Sequence, residues 1–322
     1  MNWNKIFDSF PPPKFLNIPY TGLYISDSVI RCIKFGRKDG GLYVEKYAER
    51  AIPPGVITSG QINKKEDLTE MLKVLKKDLS LDFVRVSLPE EKAYLFNAKI
   101  PIVKPSEVRS AIESKIEENV PVPPGELVFD YNLMDRGQTD HLDVVVSTFP
   151  ISGIETYINV VSSAGLSPLS LEIESQAIVR ALLKPDISET VLIIHFRPSK
   201  VGLYVASDRI VHFTSTIPTK GDALNNPDFL LQEIKRLYIY WHTLKENAEK
   251  LERKISQIVV CGESFGETII PYLSAHNQTP IALGNVWTNT FDINTSMPEI
   301  SFSDSLRYAT AVGLALPSQT LI

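Results

Sequence analysis

The segment Gly22-Leu23-Tyr24-Ile25-Ser26-Asp27-Ser28-Val29-Ile30-Arg31 is laid out as a phosphate-holding hairpin: an apolar strand, a tight polar turn and a returning strand. In such a hairpin the turn's backbone N–H groups face phosphate, and a carboxylate on the incoming strand holds hydrated magnesium. Tyr24 stands in that carboxylate's place, and a phenol titrating near about pH 10 stays neutral and cannot replace it. The theme returns where Val191–Phe196 runs into Arg197-Pro198-Ser199-Lys200 and back along Val201–Val205, with His195 near the strand end. A lone His after a buried apolar run reads as a hydrogen-bonded structural residue, and no Ser–His–Asp context surrounds it. Arg31, Arg197 and Lys200 have the chemistry to pair with an anion without metal; solvated surface charge is the plain alternative.

The bulk numbers narrow the setting. At 322 residues the chain has room for two domains, or for one large domain with an insertion. Its 43% hydrophobic and 22% charged residues are those of a globular protein, which excludes disorder and fibre. A net charge of −5 gives no global attraction to nucleic acid or anionic lipid. No apolar window reaches the roughly 18 residues of a membrane span, and the N-terminus lacks the pattern of a signal peptide. The expectation is a cytoplasmic protein with no direct membrane insertion. Two cysteines, Cys32 and Cys261, and five scattered histidines offer no CxxC, HxxxH or HExxH spacing, so no metal site is expected.

The elements that must position these residues follow from periodicity. Residues 1–19 form a Pro-rich tail, with Trp3, Phe7 and Phe10 able to dock. Strands are expected at Thr21–Ile25, Val29–Phe35 and Leu42–Arg50, then a turn-rich stretch over 53–62 and a helix over Lys65–Leu79. Strands at Asp82–Leu88 and Lys92–Ile100 follow, then a helix ending before Pro121. Leu127–Met134 and His141–Phe149 read as strands joined by the polar turn 136–140, before a helix at Ser152–Ala164 and a strand at Leu166–Ile173. Beyond the second hairpin come a long amphipathic helix from Asp228 to Lys250, a strand at Gln257–Cys261 opening onto Gly262-Glu263-Ser264-Phe265-Gly266, and a helix at Thr268–Ala275. The recurrence of strand–turn–strand points to an internal duplication.

In order and spacing these pieces resemble the PilM family, the cytoplasmic actin-like proteins of type IV pilus assembly, which are related to the division protein FtsA. The resemblance runs over roughly residues 20 to 316. It is carried by the first hairpin, Val44-Glu45-Lys46-Tyr47-Ala48, Pro54-Gly55-Val56-Ile57, Gly60-Gln61-Ile62 and Glu117-Glu118-Asn119-Val120-Pro121-Val122-Pro123 leading into Phe129-Asp130-Tyr131. It continues through Leu171-Glu172-Ile173-Glu174-Ser175-Gln176-Ala177, the second hairpin, Ile258-Val259-Val260-Cys261-Gly262 and Tyr308-Ala309-Thr310-Ala311-Val312-Gly313-Leu314-Ala315-Leu316.

The resemblance implies an α/β, actin-like (ribonuclease H-like) bilobed fold with an inserted β-α-β-β-α subdomain. Its divisions are 20–85 and 169–188 for the first lobe, 86–168 for the insert and 189–322 for the second lobe. It implies ATP with magnesium between the lobes, and a groove beside the insert for the cytoplasmic N-terminal peptide of a PilN-like inner-membrane protein. Through that partner it implies links to a PilO-like protein and the pilus motor ATPases, and a peripheral place at the inner membrane. The chain departs from the family at Tyr24, at His195 in place of Asp, at Arg197 in place of Gly, and at Glu263 in place of a second Gly. Ser26, Asp27, Ser28, Arg31, Ser199, Lys200, Gly262, Glu263 and Gly266 then belong to a degenerate nucleotide pocket. Glu174 falls where actin-like ATPases orient water; a helix-start carboxylate is the structural alternative. Tyr94, Phe96 and Glu117 are the candidate groove residues, with insert-core packing and a solvated helix face as their alternatives. The leading expectation is an adaptor that needs no cofactor and does not hydrolyse ATP. A slow ATPase with a rearranged metal site and an FtsA-like filament scaffold are the competing readings; the short end 317–322 offers no membrane helix for the latter.

Overall fold

The chain's structure is a computed structural model that describes residues 18–38, 41–134, 140–219, 226–244, 247–248, 253–263, 265, 268–291 and 298–317. The aromatic residues of the tail, the turn residues 136–139 and Gly266 lie outside the described residues.

Strand β1 (Thr21–Ile25) is buried at all five positions, because it lies mid-sheet with layers on both faces. It pairs antiparallel with β2 (Val29–Lys38) and parallel with β6 (Phe83–Leu88). The outer strands β3 (Gly41–Ala51) and β10 (Ser167–Ile173) complete the order β10-β6-β1-β2-β3. In the second lobe β11 (Thr190–Arg197) holds the same central place. It pairs with β12 (Lys200–Ser207) on one side and parallel with β14 (Ile255–Gly262) on the other. With β13 (Ile210–Pro218) and β15 (Ile281–Leu283) the order is β13-β12-β11-β14-β15. Read from opposite ends, the two orders are one topology, so the duplication expected from the hairpins is present.

Five layers result. Helices α1 (Lys65–Leu79) and α3 (Ile151–Ser163) cover the outer face of the first sheet, with Leu68, Leu72 and Val160 against Leu23, Ile25 and Val84. Between the sheets, α4 (Glu174–Leu182) and α8 (Ala309–Ala315) put Ile178 and Val312 against Ile33 and Ile193 in one core shared by the lobes. Helices α5 (Pro227–Thr243) and α6 (Ile269–His276) close the second sheet, burying Ile234 and Leu273 with Leu192 and Val260. The short α7 (Phe302–Ser305) leads into α8. The insert is a three-stranded sheet, β7 (Tyr94–Pro101), β9 (His141–Pro150) and β8 (Leu127–Met134) in that order, under α2 (Val108–Asn119). Ile112 and Ile116 of α2 pack on Ile100 and Val144.

Packing redraws several sequence boundaries. Residues 86–88 complete β6, and α3, expected in the insert, packs in the first-lobe core through Tyr157, Val160 and Val161. Helix α8, expected in the second lobe, lies on β1: a Cβ on Gly22 would sit 2.0 Å from Ala311 O. The long helix stops at Thr243 instead of Lys250, because the chain turns to let Asn247 Nδ2 donate to Trp241 O (3.0 Å) and Trp241 Nε1 donate to Arg253 O (2.6 Å). The turn-rich stretch contains a miniature hairpin, β4 (Ile57–Thr58) and β5 (Gln61–Ile62), around Ser59 and Gly60 at φ 48° and 75°. Among the described residues no helix is long and apolar enough to cross a membrane.

The α4–α8 contact allows no side chain at Gly313, where a Cβ would lie 1.8 Å from Ala177 O. Backbone on both sides cannot retreat cheaply, so Gly313→Ala is expected to cost about 2–3 kcal/mol, read as a lowered urea midpoint at unchanged m-value.

Candidate functional site

The two hairpins meet tip to tip in the cleft between the lobes, and their charged residues meet with them. Three carboxylates come from the first lobe: Asp27 in the β1–β2 turn, Glu91 after β6 and Glu174 at the start of α4. Two cations come from the second lobe, Arg197 ending β11 and Lys200 opening β12. They alternate. Lys200 Nζ lies 2.9 Å from Asp27 Oδ2 and 2.6 Å from Glu91 Oε1. Arg197 Nη1 lies 3.2 Å from Glu91 Oε1 and 2.9 Å from Glu174 Oε2. His195 Nδ1 is 3.2 Å from Glu174 Oε1. Asp27 also accepts from Ser59 N (3.0 Å) and Gly60 N (2.9 Å), which ties the miniature hairpin to the same chain.

A second bridge runs behind the first with reversed polarity. Arg31 on β2 reaches Glu263 across the cleft (Nη2 to Oε2, 2.5 Å) and Glu49 on β3 (Nε to Oε2, 2.6 Å). Arg31, Arg197 and Lys200 are all buried and paired with carboxylates, so the surface-charge reading fails for each. Gly262, at φ 100°, lets β14 turn against β11: a Cβ there would meet Phe196 O at 2.0 Å. Ser26 closes its own turn, its Oγ donating to Val29 O (3.1 Å) and accepting from Ser28 N (3.4 Å). Ser199 sits in the β11–β12 turn, where its carbonyl accepts from Thr219 N (2.8 Å).

Burial sets the charge states. It would raise the Glu174 carboxyl, but the Arg197 guanidinium more than offsets it and holds the group down at about 2. Burial keeps His195 below its ordinary value, so Arg197 supplies the countercharge and the imidazole stays neutral. Burial, with Glu174 nearby, pushes the Tyr24 phenol well up, so it too is neutral. Glu90 is buried beside Glu174, accepting from Ser175 N (3.0 Å) and Ser175 Oγ (3.1 Å); burial lifts it to about 7.

A groove of about 630 Å³ opens elsewhere, beside the insert. It is bordered by β8 and β10, each the outermost strand of its sheet, and by the Asp208-Arg209 turn of the second lobe. Both turn residues have left-handed φ, 53° and 61°, as a two-residue hairpin of this type requires, and Arg209 Nη2 donates to Arg180 O at 3.3 Å. Val128 and Leu133 line it and are 45% and 46% exposed. The candidate groove residues are elsewhere: Tyr94 and Phe96 pack on the insert core, and Glu117 faces solvent on α2. Both bordering strands are legible in the sequence; which strand lies outermost is decided only by pairing.

The family model for the type IV pilus assembly protein PilM matches residues 22–219. The chain belongs to the PilM family. Its fold is similar to that of a chain in the solved PilM-PilN type IV pilus biogenesis complex, at TM-score 0.76 and 16% identity over 92% of this chain and 98% of that one. Weaker likenesses are to a Bacteroides thetaiotaomicron protein with actin-like ATPase fold and unknown function (TM-score 0.48, 10% identity, 86% and 93% covered) and to the ethanolamine utilization protein EutJ of Carboxydothermus hydrogenoformans (0.49, 12%, 95% and 90%).

The cleft is nearly filled by its own side chains. Its free space, bounded by Tyr24, Asp27, Glu91, Glu174, Arg197 and Lys200, is about 10 Å³, the room of one water. Small-molecule sites need about 300 Å³ or more. In this arrangement the residues present do not fit a nucleotide with its metal. Among the described residues, no three His, Cys, Asp or Glu side chains are grouped to hold a metal ion.

Opposite pH responses follow. Glu90, raised from 4.5 to about 7, contributes stability that is whole below about pH 4.5 and lost as pH rises through 7. Glu174, lowered from 4.5 to about 2, contributes stability present above about pH 4.5 and lost as pH falls through 2. Glu90→Gln removes the alkaline loss. It is expected to exceed the parent by about 1–3 kcal/mol at pH 8 and to match it near pH 5, by urea denaturation at both pH values.

Proposed function

We propose that this chain is an adaptor of the type IV pilus inner-membrane assembly platform, taking the N-terminal peptide of a PilN-like protein in the groove between β8 and β10 and not hydrolysing ATP. The observation that carries the reading is the groove itself. Two strand edges unpaired among the described residues border it, with apolar side chains on both: Val128 and Leu133, exposed on β8, and Leu171 and Ile173, half-buried on β10. Open edges supply main-chain hydrogen bonds to an extended segment, and the flanking pockets select alternate side chains. Membership of the family and the fold shared with a chain of the PilM-PilN complex support a PilN-like partner. The peripheral place at the inner membrane rests on that partner, as do the links to a PilO-like protein and the motor ATPases.

The alternating ion pairs favour an adaptor over a slow ATPase. In-line attack on a phosphoryl group relies on a placed metal and free positive charge, and here each cation of the cleft is engaged by carboxylates.

Fluorescence anisotropy with a labelled N-terminal peptide of the neighbouring PilN-like protein tests the reading. Binding is expected in the absence of nucleotide. Val128→Asp or Leu133→Asp, on exposed positions, should weaken it by about tenfold or more, whereas Val74→Asp on the remote surface of α1 should leave it unchanged. No binding, or equal binding by all variants, would remove the groove from the proposal. Magnesium-dependent phosphate release above background would remove the non-hydrolytic half.

A further inference from the structure

The cleft and the groove meet at one junction of the chain. Ile173, the last residue of β10, borders the groove, and Glu174, the next, enters the ion chain. The shared core around Ile178 and Val312 joins the lobes beneath the cleft, and the charged residues meet above it. At the mouth ion pairs cross from lobe to lobe: Asp27, Glu91 and Glu174 on one side, Arg197 and Lys200 on the other, with a further pair between Arg31 and Glu263. Arg197 Nε and Nη2 have no hydrogen-bond partner among the described residues, and the space Arg197 borders admits one water. The acids a metal would need are turned to Arg and Lys, and the guanidinium a phosphate would need is turned to carboxylates.

We propose that the chain's own side chains occupy the cleft and fasten the two lobes in a single closed arrangement, so that no nucleotide enters or is needed to hold it. The fastening is symmetric in its logic. Where a bound metal and phosphate link two hairpins from opposite sides, an alternating row of charges carried by the chain itself links them here. Because Glu174 continues from the groove wall, the same row fixes that wall. The inference is read at the cleft, and it stands or falls independently of whether the groove takes a peptide.

Double electron–electron resonance on the full chain tests it. Val74→Cys on α1 and Ile239→Cys on α5 are exposed positions on the two lobes, and Cys32 and Cys261 are buried. The spin-labelled parent should give one narrow distance distribution, identical with and without millimolar Mg-ATP, and calorimetry with Mg-ATP or with ATP and chelator should give no binding heat. Lys200→Met with Glu263→Gln removes both Lys200 ion pairs from the first bridge and the crossing pair from the second, and should widen the distribution about twofold while circular dichroism stays native. Arg197→Met should widen it further; if that variant does not fold, the rim pair decides. A parent that binds ATP, or whose distances shift with it, overturns the proposal. So does a folded rim variant whose distribution matches the parent's.

Discussion

Arg197 and Glu174 face each other from opposite lobes at 2.9 Å, both all but excluded from solvent. A buried pair of this kind gains little over an apolar contact when intact, yet removing one partner leaves an uncompensated charge and costs about 3–5 kcal/mol. That asymmetry explains the company it keeps. A carboxylate at Tyr24 would add a second buried anion beside Glu174 with Arg197 as the main countercharge. A phenol and a neutral imidazole fill the same space without adding charge, and both occur, as Tyr24 and His195. The substitutions that look like separate losses in the hairpins are therefore one electrostatic solution. Once Arg197 projects into the cleft, the acids facing it must be few and matched.

The duplicated topology makes the matching achievable. Each lobe presents the tip of its central hairpin to the other, so the residues at corresponding tips, Asp27 in the first lobe and Lys200 in the second, come within bonding distance without special loops. Sheet pairing fixes β1 and β11 to within a register position, and α4 and α8 fill the space between the sheets so closely that glycine is required at 22 and 313. A rigid spacer under the cleft makes fixed charge pairs effective, because neither side can relax away from the other. The Arg31–Glu263 bridge uses the same rigidity with reversed polarity, so the row has no single sign per lobe and the mouth is held at two points.

Much of this was legible in the residues. The apolar run of Val191–Phe196, the Leu68, Leu72 and Leu75 stripe and the paired hairpins reported the central strands, α1 and the duplication, since burial on both faces of a strand or one face of a helix writes itself into periodicity. The identity of the missing acids was equally plain. What could not be seen was where the remaining charges go. Arg31, Arg197 and Lys200 are single residues far apart in sequence, and solvent and a buried carboxylate are indistinguishable as partners until the lobes are in place. Tyr94 and Phe96 alternate along β7, but alternation reports only that a strand has two faces. The strand order β7-β9-β8 decides which edge is open, and that order depends on pairing between residues some fifty apart in the chain, such as Tyr94 with Thr148.

The passage from Glu172 to Glu174 draws these threads into one piece of backbone. Glu172 is held by the Arg180 guanidinium one helical stretch later, and Arg180 Nε donates to Gly313 O at 2.7 Å. Glu174, two residues on, is held by Arg197 from the other lobe. The strand ends at Ile173 and the helix begins at Glu174, so the chain changes direction between the two carboxylates: one fastens the groove wall to α8 and the next fastens the cleft. A shift of the lobes at the cleft cannot leave this segment where it is, because α4 begins at Glu174 and carries Gln176 and Arg180 to the groove. The groove's shape is thus a property of the cleft's charge pairing as much as of the insert that overhangs it. An unpaired strand edge is useful for capturing a segment only if it is held still, and in this fold the charges that close the cleft are what hold it.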